Sequence, residues 1–536
     1  MNIVKKLFSY TPKPSSEPFV LSSQPKPEYD LRNELRIEKA YVSSDIDENR
    51  AYIRKRFRIP INNDVIMRDI ALKNGKSAFI LFYDGMVIGE FINDNIIQSL
   101  LELTSSDTLT DSELYKRLTA NSQAAPQQDM DIIADEVNFG SCALFVDGTD
   151  TAFLFDVRGW EHRGIDKPEN EQSIYGPQEA FSEMLRTNTA LLRKSIKTEG
   201  LIARSCILGS KSKTKGILLY IDDIANEKLI HEAMRRLNGI KADYIMSIEQ
   251  VQNLIVDKPM LFTPQLLATE RPDRAARALT EGRCVFILNG SPRALIMPSG
   301  FFELTHSASD EYLAVPYVTM SRVIRLIGMV FSLLLPAIYL AMTLYHQEII
   351  PTYLLYSISA SRENVPFPSI VEMLLMDISF ELIREAGLRM PSPIGSTLGI
   401  VGGLILGQAA VSAKIVSPIM IIVIAITGIG SFETADYTLG WAHRLLRLAF
   451  ILVAAVYGFF GIAACIVLYS LYLGSLTTFG IPYVSPVFAF RSKSMVSPLV
   501  AIPTTRRERR PGYLRTKRPD AAPPVSRRWQ IKNKGE

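Results

Sequence analysis

One stretch, Arg362 to Phe432, constrains this chain more than any other. It opens with Arg362-Glu363-Asn364-Val365-Pro366-Phe367-Pro368 and continues into a segment dense in charge: Glu372, Asp377, Glu381, Arg384, Glu385 and Arg389. Charge then almost vanishes. Gly395, Gly399, Gly403 and Gly407 recur at every fourth position of an apolar run, and a further uncharged run extends from Ile415 to Phe432. Residues four apart share a helix face, so the order reads as a charged helix, a glycine-faced helix and an apolar helix. That succession suits a membrane assembly and not a soluble enzyme.

The chain around it is bipartite. Its 536 residues leave room for several domains. Residues 1 to about 318 are mixed and charged, whereas 319 to about 477 hold almost all the long apolar runs. The expected fold class is an α+β soluble N-terminal half, made of two small α/β subdomains, followed by an all-α multi-span membrane domain. The divisions are a flexible leader (1–35), subdomain 1 (36–199), subdomain 2 (200–305), a transmembrane helical domain (319–480) and a basic, disordered tail (487–536). Of the net charge of +4, the stretch Arg506–Glu536 contributes +8, so the body sums to −4 and nothing points to nucleic acid.

Within the soluble half, Ala78–Tyr83 reads as a buried strand. Asp147-Gly148 and Asn289-Gly290 each separate two apolar runs, as in hairpins whose tight turns favour positive φ. Gly176-Pro177 predicts a helix start, with the helix running to about Lys197. The division between the two α/β units falls near Glu199-Gly200.

Spans are expected at Leu326–Tyr345, Gly395–Ala413 and Ile415–Phe432, since about 20 helical residues cross a core of about 30 Å. Leu448–Thr478 is either one long tilted helix or two segments broken near Gly458 and Gly461. The count is four to six, with four favoured. Arg322, Arg325 and the basic tail place both ends on the cytoplasmic side; with four crossings, Lys414 faces inside and Glu433–His443 outside.

Asp377, Glu381, Arg384 and Glu385 fall within about 100° of helical arc. Two readings stay open: an interfacial helix with local Glu381–Arg384 and Glu385–Arg389 pairs, or a stripe lining an aqueous path, where rings of carboxylates select cations. The four glycines allow close helix approach, within a subunit or between subunits. Gln408, polar at membrane depth, needs a partner on another helix.

Signals of catalysis fail. Gly75-Lys76-Ser77 has no first P-loop glycine and precedes a strand. The five histidines and four cysteines show no metal-ligand spacing. No GxSxG is present. No enzyme, cofactor or metal site is expected, and the cysteines read as buried free thiols. The N-terminus lacks the apolar core of a signal peptide.

The order of motifs resembles the A subunit of the GerA-type spore germinant receptors. The resemblance rests on His346-Gln347, Ser361 to Pro368, Arg384-Glu385-Ala386-Gly387-Leu388-Arg389-Met390-Pro391, Gly407 to Val411, Phe479-Gly480-Ile481-Pro482-Tyr483 and Thr269-Glu270-Arg271-Pro272-Asp273. It marks Arg362, Glu363, Asn364, Pro366, Pro368, Glu372, Arg389 and Pro391 as motif residues. It implies an integral protein of the spore inner membrane, with its N-terminal domain and tail on the spore-core side. The implied partners are a transporter-like B subunit, a lipoprotein C subunit, further copies of itself and membrane lipid. The implied role is to oligomerise and contribute a gated ion path for germination. The alternatives are a non-conducting scaffold or the A-like paralogue associated with dipicolinate release. Tyr175 and Ser412 depart from the family pattern, which has an Arg and an acid there.

Overall fold

A computed structural model describes residues 21, 40–73, 75–101, 124–159, 167–168, 171, 173, 175–259, 261–389, 407–433, 435–487, 498–503, 507 and 509–521. The soluble half holds two five-stranded antiparallel sheets. The first contains β1 (Val65–Ala71), β2 (Ser77–Tyr83), β3 (Ala124–Gln127), β4 (Cys142–Val146) and β5 (Ala152–Phe155), in the order β1-β2-β4-β5-β3. Helices α1 (Ile46–Arg56) and α2 (Met130–Phe139) pack on it. After α3 (Leu185–Ser195) comes the second, with β6 (Leu201–Leu208), β7 (Thr214–Ile221), β8 (Leu267–Thr269), β9 (Cys284–Leu288) and β10 (Ala294–Met297), in the order β6-β7-β9-β10-β8. The two orders are the same. In each unit the third strand sits at the edge and leads into a helix: α2 in the first, α6 (Pro272–Thr280) in the second. The soluble half is therefore one topology used twice.

Both hairpins turn where the sequence places them. Gly148 and Gly290 have φ of +81° and +87°, which only glycine adopts without strain. Strands β4 and β5 are buried along their whole length, with both sheet faces covered. In the second unit, α4 (Glu227–Asn238) and α5 (Ile248–Ile255) cover one face and α3 and α6 the other.

The helix expected from Gly176 begins only at Leu185. Asn188 holds the preceding backbone extended: its Oδ1 accepts from Ser182 N (2.8 Å) and its Nδ2 donates to Ser182 O (2.6 Å). Phe181 N also donates to Glu270 O of the second unit (2.8 Å). Tertiary hydrogen bonds outweigh the local signal of the proline.

Arg193 joins the units. It donates to both Asp64 carboxylate oxygens (2.6 and 2.7 Å), to Asn62 Oδ1 and to Leu201 O, and its guanidinium stacks on Tyr83 at 4.0 Å. Arg193 and Asp64 side chains are only 3% and 6% exposed. Removing one partner of such a pair strands a buried charge.

The C-terminal half is helical. Helices α7 (Val315–Leu344), α8 (Thr352–Arg362), α9 (Ser369–Arg389), α10 (Pro418–Phe432) and α11 (Tyr437–Ser475) follow in order. Two of them, α7 and α11, are long and apolar enough to cross a membrane. At 15 residues α10 is shorter than expected, about 22 Å at 1.5 Å per residue. Gly395, Gly399, Gly403 and Pro391 lie outside the described residues, as does the Arg389 side chain.

Helix α11 would be about 58 Å long if straight. It is bent back at Gly458 (φ 57°, ψ −141°). A Cβ on Gly461 would meet Val453 across the turn, and Leu439 and Leu476, near its two ends, belong to one core with the soluble half. The turn rests on Tyr345 and His346 at the far end of α7. Helices α7 and α10 are antiparallel, since Gly328 meets Gly430 and Glu433 while Tyr339 clusters with Met420. Glu433 thus lies beside Phe301 and Arg325, and His443 beside Phe301, at the soluble-half end. Lys414 lies at the opposite end. This corrects the four-crossing arrangement, in which Lys414 shared a side with the soluble half.

After α11 the chain returns to the second unit. Strands β11 (Thr477–Thr478) and β12 (Ile481–Pro482) form a small hairpin whose Phe479 is buried under Arg236 (4.1 Å). Tyr483 donates to Pro264 O (2.6 Å) and accepts from Phe301 N (2.9 Å). The tail, expected to be disordered, is docked over its described part. Leu514 enters the core, Tyr513 donates to Glu303 (2.8 Å), and Lys517 pairs with Glu227 (2.9 Å). Leu21 of the leader is buried in the same core.

Where tail, soluble half and α7 meet, Glu303 is held near 2: burial alone would raise it, but Arg283, Tyr513 and the Gly300 amide outweigh that. His306 is held down to about 4, by burial first and then by Arg322. Two outcomes follow. Arg193→Ala in the full chain should cost about 3–5 kcal/mol, read as a fall in denaturation midpoint. The neutral folded His306 takes up no proton until pH is near 4, whereas an unfolded histidine does so below about 6.5. Stability should therefore fall as pH drops from 6.5 to 4, and His306→Asn should flatten that part of a melting-temperature profile; an unchanged slope would exclude this histidine as its source.

Candidate functional site: a buried ion set in the helical half

Helix α9 carries its charge inward, against the first arm of α11. Arg447 Nη2 lies 2.8 Å from Asp377 Oδ1 and 2.9 Å from Glu381 Oε1. Arg444 Nη1 reaches Glu381 Oε2 at 3.0 Å, and Arg384 is 3.6 Å from Glu381. Arg384 also donates to Ser431 on α10 and stacks on Phe432 (4.4 Å) and Phe380 (5.2 Å). Asp377 and Arg447 side chains are 3% and 1% exposed. Arg447 is ten residues into α11, about 15 Å from its start.

Three guanidinium groups thus meet two carboxylates, and the set carries +1. Arg384 Nε and Arg447 Nε and Nη1 have no hydrogen-bond acceptor among the described residues. Buried donors in this state are commonly met by water.

A second polar cluster lies further along α9, towards the far end. Glu372 is fully buried; its Oε2 accepts from Ser417 N at the start of α10 (3.0 Å), and Oε1 lies 3.6 Å from Arg362 Nε. Tyr339 of α7 is within electrostatic reach of both. Ser369 Oγ, Glu372 Oε1 and Arg362 Nε have no hydrogen-bond partner among the described residues. A polar column therefore runs along α9 through an otherwise apolar bundle.

Of the sequence-derived residues, the structure brings together Asp377, Glu381 and Arg384, and separately Arg362 and Glu372. Glu385 is half-buried one turn below Glu381. Glu363, Asn364, Pro366 and Pro368 form the exposed α8–α9 connection. Gly407 lies 3.8 Å from Ile421 of α10 by the position of an added Cβ, and Gln408 is exposed on the neighbouring face. Arg444 and Arg447 were missed. They lie in Trp441-Ala442-His443-Arg444-Leu445-Leu446-Arg447, ahead of a span. The available signal was their i, i+3 spacing on one face, complementing the i, i+4 spacing of Asp377 and Glu381 on α9.

Arg447→Gln should leave Asp377 buried and unpaired, at about 3–5 kcal/mol. Adding Asp377→Asn should recover part of that loss. Equal melting temperatures for the single and double variants would show that the two groups are not coupled.

The family model for the Bacillus/Clostridium GerA spore germination protein matches residues 51–513. Spore germination protein KA of Bacillus subtilis (strain 168) is 36% identical over 473 residues, covering 88% of this chain and 87% of that protein. Spore germination protein GerLA of Bacillus cereus is 34% identical over 457 residues, covering 85% and 93%. The uncharacterized membrane protein YfkQ of Bacillus subtilis (strain 168) is 36% identical over 450 residues, covering 84% and 88%. Among solved structures, the N-terminal domain of the A subunit of the Bacillus megaterium spore germinant receptor GerK3 aligns with 49% of this chain and 98% of its own, at 26% identity and a TM-score of 0.39. The chain belongs to the GerA family of spore germination proteins.

Proposed function

We propose that this chain is the A subunit of a nutrient germinant receptor in the spore inner membrane, and that its α9 column is part of a gated ion path. The observation that carries the reading is the buried polar column itself. Ionisable residues at membrane depth are costly and mark ion pathways, and unmatched donors and acceptors along α9 call for water. In this reading the helical half crosses the membrane six times: by α7, α9, the apolar segment expected at Gly395–Ala413, α10 and both arms of α11. An even count keeps the soluble half and the tail on one side, and Arg322 and Arg325 make that side the spore core. A B subunit of transporter type, a lipoprotein C subunit and further copies of this chain complete the assembly.

The ion set then describes the closed state. With three arginines on two carboxylates, the column repels cations where Asp377 and Glu381 would attract them. Opening requires Arg447 to leave Asp377. One observation favours a second reading, that of a non-conducting scaffold: these carboxylates are already satisfied within one chain, as in a structural clamp.

Potassium release from spores separates the two. Asp377→Asn and Glu381→Gln should slow nutrient-triggered release at normal protein level on a blot, and Arg447→Gln should raise release without nutrient. Wild-type release from all three variants at wild-type level would favour the scaffold.

A further inference from the structure

A cavity of about 590 Å³ opens where the second α/β unit, the start of α7 and the tail meet. Its cationic wall is assembled from remote parts of the chain: Arg277 on α6, Arg322 on α7 and Arg507 in the tail. Carboxylates are shared among these arginines. Glu311 contacts both Arg277 and Arg507, and Asp310 contacts both Arg322 and Arg325. Each guanidinium has five N–H donors, so sharing leaves donors over. Arg283, 3% exposed, lines the same space; its Nε has only Glu281 Oε2 at 3.4 Å and makes no hydrogen bond. Burial, with Arg507 and Arg283 nearby, holds Arg277 below the usual arginine range even though Glu281 opposes it. Six arginines face five carboxylates around the cavity, an excess that one negative charge would cancel.

Beside the cavity lies a narrow cleft of about 30 Å³, lined mainly by apolar side chains such as Phe301, Leu326 and Met329, with Arg325 and Glu433 also on its wall; the two share Phe302, His306, Arg322 and Pro498. Arg322 and Arg325 sit in the first turns of α7, at headgroup level if α7 spans. We propose that this junction binds a phosphate-bearing anion, and that its source is the headgroup of an anionic phospholipid whose acyl chain runs along the outside of α7 past Leu326 and Met329. Planar guanidinium forks match phosphate oxygens. A phosphodiester supplies the single negative charge, and the apolar flank of α7 has no use for free phosphate. The site rests on the reading of α7 as a membrane span. A bound lipid would tie three separate segments to the membrane surface at one point.

The test uses the full chain in nanodiscs of phosphatidylcholine, with or without phosphatidylglycerol. Native mass spectrometry should show phosphatidylglycerol retained on the wild type and phosphatidylcholine lost, with a higher melting temperature in the mixed discs. Arg277→Gln and Arg507→Gln should each lower retention about fivefold, the effect of roughly 1 kcal/mol, while the exposed, remote Arg235→Gln should not. Equal retention of the two lipids by the wild type would overturn the proposal without recourse to any variant. Stabilisation by inorganic phosphate in phosphatidylcholine discs, with no phosphatidylglycerol retained, would overturn the lipid source. Failure of the chain to enter nanodiscs at all would instead remove the membrane reading beneath it.

Discussion

Arg447 decides how the helical half is put together. A guanidinium about 15 Å inside an apolar bundle cannot be left alone: isolating an ion there costs far more than any packing contact returns. It therefore dictates that α9 lies against the first arm of α11 in the register that presents Asp377 and Glu381. Arg384 then reaches α10 through Ser431 and Phe432, and Glu372 reaches the α10 N-terminus through Ser417. Helix order and direction follow from where these charges find partners, since apolar surfaces alone would pack in several registers.

The soluble half solves a different problem by repetition. One sheet topology occurs twice, and Arg193 fixes the copies to each other through Asp64. Among the described residues, the second copy carries the core contacts with the helical half. The start of α7, the Phe479 hairpin and the tail all converge on it.

Features dictated by short-range chemistry were readable from the sequence. Asp147-Gly148 and Asn289-Gly290 announce turns because the φ they require is rare elsewhere. The 100° arc placed Asp377, Glu381 and Arg384 on one face because helix geometry allows nothing else. Features decided by distant partners were not readable. The extended stretch before Leu185 depends on Asn188 and on Glu270 of the other unit. Arg444 and Arg447 drew no reading because their acidic partners lie more than sixty residues away in the chain. The expected side of Lys414 followed from the favoured count of four crossings, and that count depends on which apolar runs pair in space. The duplication resides in strand order, and the sequence shows it in the matching hairpins Cys142–Gly148 and Cys284–Gly290.

The fold-back at Gly458 has a mechanical consequence. Both roots of α11 are seated in the soluble half, at Leu439 and at Leu476, while the bend rests on Tyr345 and His346. The pair of arms is clamped at its root and leans along α7 towards the tip, where Ala454 and Ile462 pack on Ala337 and Ala341. A small tilt of the second α/β unit would be felt along the first arm, where Arg444 lies a third of the way to the bend and Arg447 about half way. Ion pairs with their stringent angles are well suited to sense rotation, and this is where the molecule has put them.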